Sequence, residues 1–595
     1  MVKHFFCLFF ASLFFVSSLF ADDPGEEIYK NYCASCHENE LLRAPDINAI
    51  KSLGKAGIQD SLASGSMQEV GDKLREYELN TLIDFLSMDK KSISKSNNSN
   101  NCLGSPKINS EVLWSGWGNG LSNSRLQSKS NITTGNLKQL HLSWAFGFKD
   151  AVRVRSQPLV TEDAIFVGSQ SGHVYALSLK NGCIWWSYEA ESEVRGSIVL
   201  SHDKSSVLFS DFDSNIYRLN RRNGNLQWKE NVADHPTTTI TGSMATYQNL
   251  LFIPLSSTEV ISAINSEYEC CSFRGGMIAL DIENGDQVWR MYTVPEPQKT
   301  GFNITGTSLY GPSGAPVWST PTIDVRRGLL YIGVGQNYSH PSSELSDAVV
   351  AVKMSTGEIV WSQQTISNDI WNAGCVTNQI NCPGEHGPDF DIGASIILSK
   401  LDEGRDILLV GQKSGMVYGL DPDRRGHILW QKRVGRGGKK GGIHWGMTVD
   451  SKNVYVPIGD LPEQIDIQGE PRPGLHSLSI ENGDHQWYKP AFPVCKQEAF
   501  KCYASYSAAA SSVEGMILVG SMNGMIEVIS SDNGDILWSY NTARSFDTVN
   551  KVVANGGSID SDGPIIAGNH LIVTSGYDLY GQITGNVILV FNTKE

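Results

Sequence analysis

Positive charge is in short supply in this chain. Its 595 residues carry 48 Lys and Arg against 63 Asp and Glu, a net charge of −15, and charged side chains of both signs reach only 19%. A phosphate backbone needs a basic face, which argues against nucleic acid as a partner. Long apolar runs are missing too. After residue 20 nothing approaches the roughly 20 consecutive apolar residues of a membrane span, so no stable span is expected. Disordered and collagen-like compositions are also excluded, because 58 Gly, 14 Trp and 20 Tyr among 40% apolar residues describe a turn-rich, aromatic-rich globular chain. Length alone would give about four domains at roughly 150 residues each, unless the chain repeats.

The single long apolar run stands at the start. Lys3 and His4 precede residues 5–20, and Ala21 precedes Asp22 and Asp23. This is the pattern of a secretory signal peptide over 1–21, which predicts export to the periplasm. Eleven cysteines suit that destination. Cys7 leaves with the leader, Cys33 and Cys36 belong to a motif, and the remaining even number favours disulfides. Cys375 with Cys382 and Cys495 with Cys502 are close in sequence, Cys270 and Cys271 are adjacent, and Cys102 and Cys183 remain. Spacing alone does not fix the connectivity.

Cys33-Ala-Ser-Cys36-His37 is the pattern of covalent c-type haem attachment. Two thiols at that spacing can take the two vinyl groups while the adjacent imidazole reaches the iron. Residues 25–32 read as a helix, and Leu79, Leu82, Ile83 and Leu86 recur at helical spacing. Between them Met67 offers a thioether as the second axial ligand opposite His37, a set suited to electron transfer. Residues 22–90 therefore resemble a class I cytochrome c, all-α, with one covalent haem c. A Ser/Asn/Lys tract follows, and 91–108 reads as a flexible linker.

Beyond it a pattern recurs: alternating apolar residues, a turn, Gly, and Trp four residues later. The pairs are Gly182 with Trp186, Gly224 with Trp228, Gly285 with Trp289, Gly357 with Trp361, Gly426 with Trp430, Gly483 with Trp487 and Gly534 with Trp538. Trp144 stands where an eighth belongs. Residues 109–595 shared among eight repeats give about 61 each, which fits four-stranded blades around a channel. The sequence therefore predicts a mainly β, eight-bladed propeller. The strand over 585–591 lacks the Gly and Trp, and pairing it with the strand around Trp144 would close the ring and remove the sheet edges. A two-sheet sandwich is the competing fold. Each repeat Trp is expected to pack between blades.

The repeat resembles the propeller of quinoprotein alcohol dehydrogenases, which hold pyrroloquinoline quinone (PQQ) beside Ca²⁺. Longer segments narrow the resemblance: Trp114-Ser-Gly-Trp-Gly-Asn, Cys270-Cys-Ser-Phe-Arg-Gly, Gly311-Pro-Ser-Gly-Ala-Pro-Val-Trp318-Ser, Gly387-Pro-Asp-Phe-Asp391, Gly411-Gln-Lys-Ser-Gly and Gly441-Gly-Ile-His-Trp445-Gly. With the haem domain placed first, they resemble the polyvinyl-alcohol dehydrogenase (cytochrome) branch of the quinohaemoprotein family. The resemblance implies oxidation of an alcohol or polyol by hydride transfer to PQQ, with electrons passing through haem c to an acceptor such as a soluble periplasmic cytochrome.

It also implies roles. Trp318 stands for the tryptophan under PQQ. Lys413 is the cation at the reacting carbonyl, Arg155 and Arg195 are carboxylate contacts, and Thr241 is a hydrogen-bond donor. Glu259 and Asn337, or its neighbour Gln336, are calcium ligands. The methanol-oxidising relatives carry their base in a Trp-Asp pair, but here the pair reads Trp371-Asn372. Asp389 of Asp389-Phe-Asp391 is the expected base, Asp391 an additional calcium-side carboxylate, and Asp369 the rival. Cys270 and Cys271 follow Glu259, later in the chain than the family's paired cysteines. A non-catalytic scaffold of the outer-membrane assembly type, with an appended cytochrome, is the alternative reading. It would have no need of the haem motif, Glu259, Lys413 or Asp389. The basic stretch 424–440 is a further expectation, as a docking face for the acidic haem domain.

Overall fold

Strand pairing follows the period-two alternation read above. In the computed structural model, which describes residues 24–38, 44, 47–52, 54–63, 67–87, 100–377, 379–439, 441–461, 469–491, 503–577 and 582–593, His173–Ser178 pairs antiparallel with Ala164–Gly168 and with Ile184–Glu189. The same meander recurs to give eight sheets built on four antiparallel strands, the blades of one propeller. The eighth is made from both ends of the repeat array. His141–Gly147 pairs with Val587–Asn592, with Trp144 opposite Val590, and this closes the ring as expected. The sandwich is thereby set aside.

The repeat Gly and Trp hold neighbouring blades together. Gly182, at φ +68, ends the turn of one blade, and a Cβ there would lie 2.7 Å from the ring of Trp144 in the blade before. Gly426 stands in the same way against Trp361, at 2.5 Å. Only glycine combines that left-handed backbone with room for an indole. The indole N–H then crosses to the next blade: Trp144 donates to Leu179 O at 3.1 Å, Trp186 to Arg221 O at 2.9 Å and Trp430 to Ile480 O at 2.9 Å. Each ring removes apolar surface from water and satisfies its one donor, which fixes the angle between blades.

Among the N-terminal helices, Pro24–Tyr32 packs on Glu76–Ser87, with the rings of Tyr29 and Phe85 6.2 Å apart. Tyr29, Cys33, Ile58, Leu62, Leu82, Ile83 and Leu86 form their core.

Of the expected flexible linker 91–108, only 100–108 is among the described residues. Asn100, Asn101 and Cys102 run along the strand Ile184–Glu189: Cys102 N donates to Ile184 O at 2.9 Å, and Cys102 is bonded to Cys183. These contacts tie 100–108 to the propeller, and 91–99 lies outside the described residues, as do the leader 1–21 and the Cys495 and Cys502 pair. Cys270 with Cys271 and Cys375 with Cys382 are also bridged. Among the described residues no helix is long and apolar enough to cross a membrane.

Candidate active site

The innermost strand of each blade is entered by a short loop, and these loops carry the site. Arg155 lies four residues before Leu159–Thr161, Arg195 four before Val199–Leu200, Thr241 four before Ala245–Tyr247, and Trp318 four before Thr322–Asp324. Equivalent positions in a ring of repeats converge on its axis. These four side chains accordingly line one cavity, together with Trp117, Ser243, Gly393, Trp445 and Ser561. Trp318 is buried, with its ring 5.6 Å from those of His444 and Trp445. Gly393 makes the seat, because a Cβ there would come within 1.9 Å of the Trp318 ring.

The cations on this cavity are tethered. Arg155 Nε donates to Glu193 Oε1 at 2.6 Å, while Arg153 Nη2 takes the other oxygen at 2.8 Å. The two guanidiniums hold the buried Glu193 carboxylate well below its usual range despite burial. Arg195 lies over the Trp445 ring at 5.1 Å. Asp560, pushed up to about 6 by burial, faces Trp445 and Arg195.

A second group lies beside Trp318. Lys413 Nζ sits between Asp389 Oδ1 at 3.0 Å and Asp391 Oδ2 at 2.9 Å, all three buried. Asp391 Oδ1 accepts from Gln336 N at 2.9 Å, and Gly335 leaves no room for a Cβ beneath it. Asp389 has φ +61, and its loop is held from below, because Asp369 accepts from Asp389 N at 3.0 Å and from Phe390 N at 2.7 Å. Burial pushes Asp369 up to about 6. Sequence reasoning missed Asp347. It is fully buried, neither carboxyl oxygen has a hydrogen-bond partner among the described residues, and burial with repulsion from Asp369, Asp391 and Asp389 drives its pKa far upward.

Glu259 opens the short helix Glu259–Ser262. Ser272 N and the Tyr268 hydroxyl donate to Oε1 at 2.7 and 3.0 Å, and Phe273 N donates to Oε2 at 2.8 Å. A carboxylate offers about four acceptor positions, so one remains on Oε2. Burial still pushes its pKa up to about 7, the state expected of a carboxylate that lacks a countercharge. The Phe273 ring stacks 6.3 Å from Tyr338, next to Asn337. Asn337 is committed at both ends: Nδ2 donates to Ser313 O at 3.0 Å and Oδ1 accepts from Ser343 N at 2.7 Å. Among the described residues the Gln336 side chain makes only a long contact, from Nε2 to Trp371 O at 3.5 Å, and is the freer amide. Cys270 and Cys271 are not among the residues lining the Trp318 cavity; they cluster with Val260, Phe273, Tyr338 and Trp371.

In the N-terminal helices, Cys33 and Cys36 are not joined in a disulfide, and His37, buried, ends the helical turn Ala34–His37. Met67 packs against the same core as Cys33.

Comparison with known proteins bears on this arrangement. Residues 114–378 match the glucose/ethanol/alcohol dehydrogenase β-propeller domain family, and 346–586 match the family described as outer membrane protein assembly factor BamB. A polyvinylalcohol dehydrogenase of Pseudomonas sp is 34% identical over 96% of this chain and 93% of its own length. The one from Sphingopyxis sp. (strain 113P3) is 32% identical over 96% and 92%. Among solved structures, quinohaemoprotein alcohol dehydrogenase from Comamonas testosteroni superposes with TM-score 0.60 at 18% identity, covering 81% of this chain and 80% of that one. The likeness to that structure is one of fold.

Proposed function

This chain belongs to the PQQ-dependent alcohol dehydrogenases that include the polyvinylalcohol dehydrogenases, and from that premise we propose that it oxidises secondary hydroxyl groups of an alcohol or polyol in the periplasm. PQQ when bound supplies a hydride-accepting carbonyl, Ca²⁺ a Lewis acid beside it, and haem c a one-electron outlet to a soluble acceptor.

The chain's own residues supply the rest. Trp318 is the floor, seated by Gly393, and Arg155, Arg195 and Thr241 face a polyanionic ring from its rim. The tethered arginines are held in place before any ligand arrives, so little ordering is left to the binding step. Asp389 takes the hydroxyl proton on its carboxylate. Lys413, shared with Asp391, sets its ammonium 3.0 Å from that carboxylate and could donate an N–H to the reacting oxygen. Asp369 is a positioning residue that builds the Asp389 loop. Glu259 with Gln336 or Asn337, and Asp391 on the same side, are the hard oxygen donors that calcium prefers. Cys33 and Cys36 would attach the haem, and His37 and Met67 would offer an imidazole and a thioether to its iron.

The observation that carries this reading is the convergence of Trp318, Thr241, Arg155 and Arg195 on one cavity whose seat, Gly393, follows Asp391 of the Asp389–Lys413–Asp391 cluster by two residues. The scaffold alternative gives no reason for that cluster. The test is purified protein supplied with PQQ and Ca²⁺ and offered secondary alcohols, diols and polyvinyl alcohol. Dye reduction that needs both additions, together with a haem Soret band, is the expected result. Dye reduction absent from the whole panel would overturn the reading.

A further inference from the structure

The paired cysteines of the N-terminal helices face two different bodies. Cys33 lies in the helices' own core with Tyr29, Leu62 and Leu82, whereas Cys36 packs against the propeller cluster of Val260, Cys270, Cys271 and Trp371. Ile261, Ile264 and Tyr268 border that same cluster. From the helices, Lys73 Nζ comes within 3.8 Å of Glu267, the neighbour of Tyr268. From the propeller, Lys439 stands 5.6 Å over the Trp371 ring, and the segment 22–90 carries 14 acidic and 7 basic side chains. Tyr268 then spans the depth of the surface, because its hydroxyl donates to the buried Glu259 carboxylate.

We propose that 261–268 with Trp371 is the face through which electrons leave the propeller, that the Cys36 corner of the N-terminal domain is its occupant, and that Tyr268 is the side chain joining that face to Glu259. This rests on the functional reading above. Oxidation of one hydroxyl to a carbonyl releases two electrons and two protons. The protons go to water. The electrons cross one at a time, each reducing ferric haem to ferrous, which passes its electron to an external one-electron acceptor before taking the next. Tyr268 is neither oxidised nor deprotonated; it replaces a through-space gap with covalent bonds and one hydrogen bond.

The test uses the full chain carrying haem, PQQ and Ca²⁺, with Ile264→Asp and Glu267→Lys compared to the parent. Haem reduction after mixing with alcohol should slow by roughly tenfold or more in Ile264→Asp, since docking geometry is lost. It should slow about threefold in Glu267→Lys at low salt, and recover when Lys73→Glu is added. Dye-linked turnover should stay within about twofold of the parent, because neither residue lines the cavity. In protein carrying haem but no PQQ, amides of 32–37 should exchange faster in Ile264→Asp. Parent-like haem reduction and exchange in both variants would overturn the docking face, and an unchanged haem-reduction rate in Tyr268→Phe would overturn the role of Tyr268. If the parent reduces neither haem nor dye, the functional reading fails, while the exchange measurement still judges the face.

Discussion

Asp369 accepts the backbone N–H of Asp389, so one of the two rival carboxylates builds the loop that carries the other. The relationship separates their expected mutant behaviour. Asp389→Asn should keep the fold and bound cofactors and lose turnover by roughly 10²–10⁴-fold, the usual worth of a general base. Asp369→Asn should lower the melting temperature as well, because a buried backbone donor loses its charged acceptor, at about 1–3 kcal/mol. Melting, cofactor absorbance and turnover on the same preparations make the comparison. Near-normal turnover in Asp389→Asn would hand the base to another residue.

Gly393 is a test of the cavity floor. Alanine there must displace the Trp318 ring, since its Cβ would fall 1.9 Å from it. PQQ affinity should drop by about tenfold or more, with overpacking costing about 1–3 kcal/mol of stability. Titration of apo-protein with PQQ, followed by Trp fluorescence, reads the first. Parent-like affinity would move the quinone elsewhere.

Glu259 ties calcium to pH. Burial raises its carboxyl to about 7, so a proton must leave before the cation binds. Calcium affinity of the apo-protein should weaken about tenfold per pH unit below about 7 and level off above it. The stability effect has a definite sign. With the folded pKa above the unfolded one, the ion-free chain loses stability as pH rises through about 7, and calcium cancels the loss. Glu259→Gln should flatten both curves. Calorimetric titrations across this range decide the matter, and an affinity indifferent to pH in the parent would remove Glu259 from the ligand set.

Met67→Ala should leave haem attached through Cys33 and Cys36 while shifting its potential, because an axial sulfur is lost. Redox titration of the Soret band is the readout. An unshifted potential would mean that another residue holds the sixth position.

The blade contacts are testable without any cofactor. Trp430→Ala removes a ring that covers Gly483 and an N–H that satisfies Ile480 O, and should cost about 3–5 kcal/mol in denaturant unfolding. Gly483→Ala, at φ +73, should also destabilise, through strain and through the ring 2.6 Å away. A loss below about 1 kcal/mol in Trp430→Ala would show that the blades are held by other contacts.

These residues also mark what the sequence could reveal. The Gly and Trp pairs were legible because the glycine turn and its tryptophan are four residues apart, and the sevenfold recurrence removed the ambiguity. Trp445, Gly393 and Ser561 were not singled out as site residues, although each stands three or four residues before an innermost strand. Their signal is position within the ring, which a linear reading does not weigh. Asp347 was missed for a different reason. It opens an ordinary-looking strand, and only burial among three other carboxylates gives it chemical character. Asp369 and Asp389 were both visible as candidates, but their order of rank depends on a backbone hydrogen bond across a disulfide-closed loop. Spacing carries no trace of that bond.

The strand His141–Gly147 waits for a partner made at the other end of the chain, and Asn586 Nδ2 finally reaches Phe148 O across 438 residues. A ribosome therefore releases nearly the whole array before the ring can latch. Until then both ends of the nascent arc present bare sheet edges, the surfaces most open to mispairing and to proteases. Loss of Val587–Asn592 alone would remove no cofactor contact described above, yet it would leave the arc open. The strand Val587–Asn592 thus acts as a latch, because without it His141–Gly147 has no partner in the eighth blade.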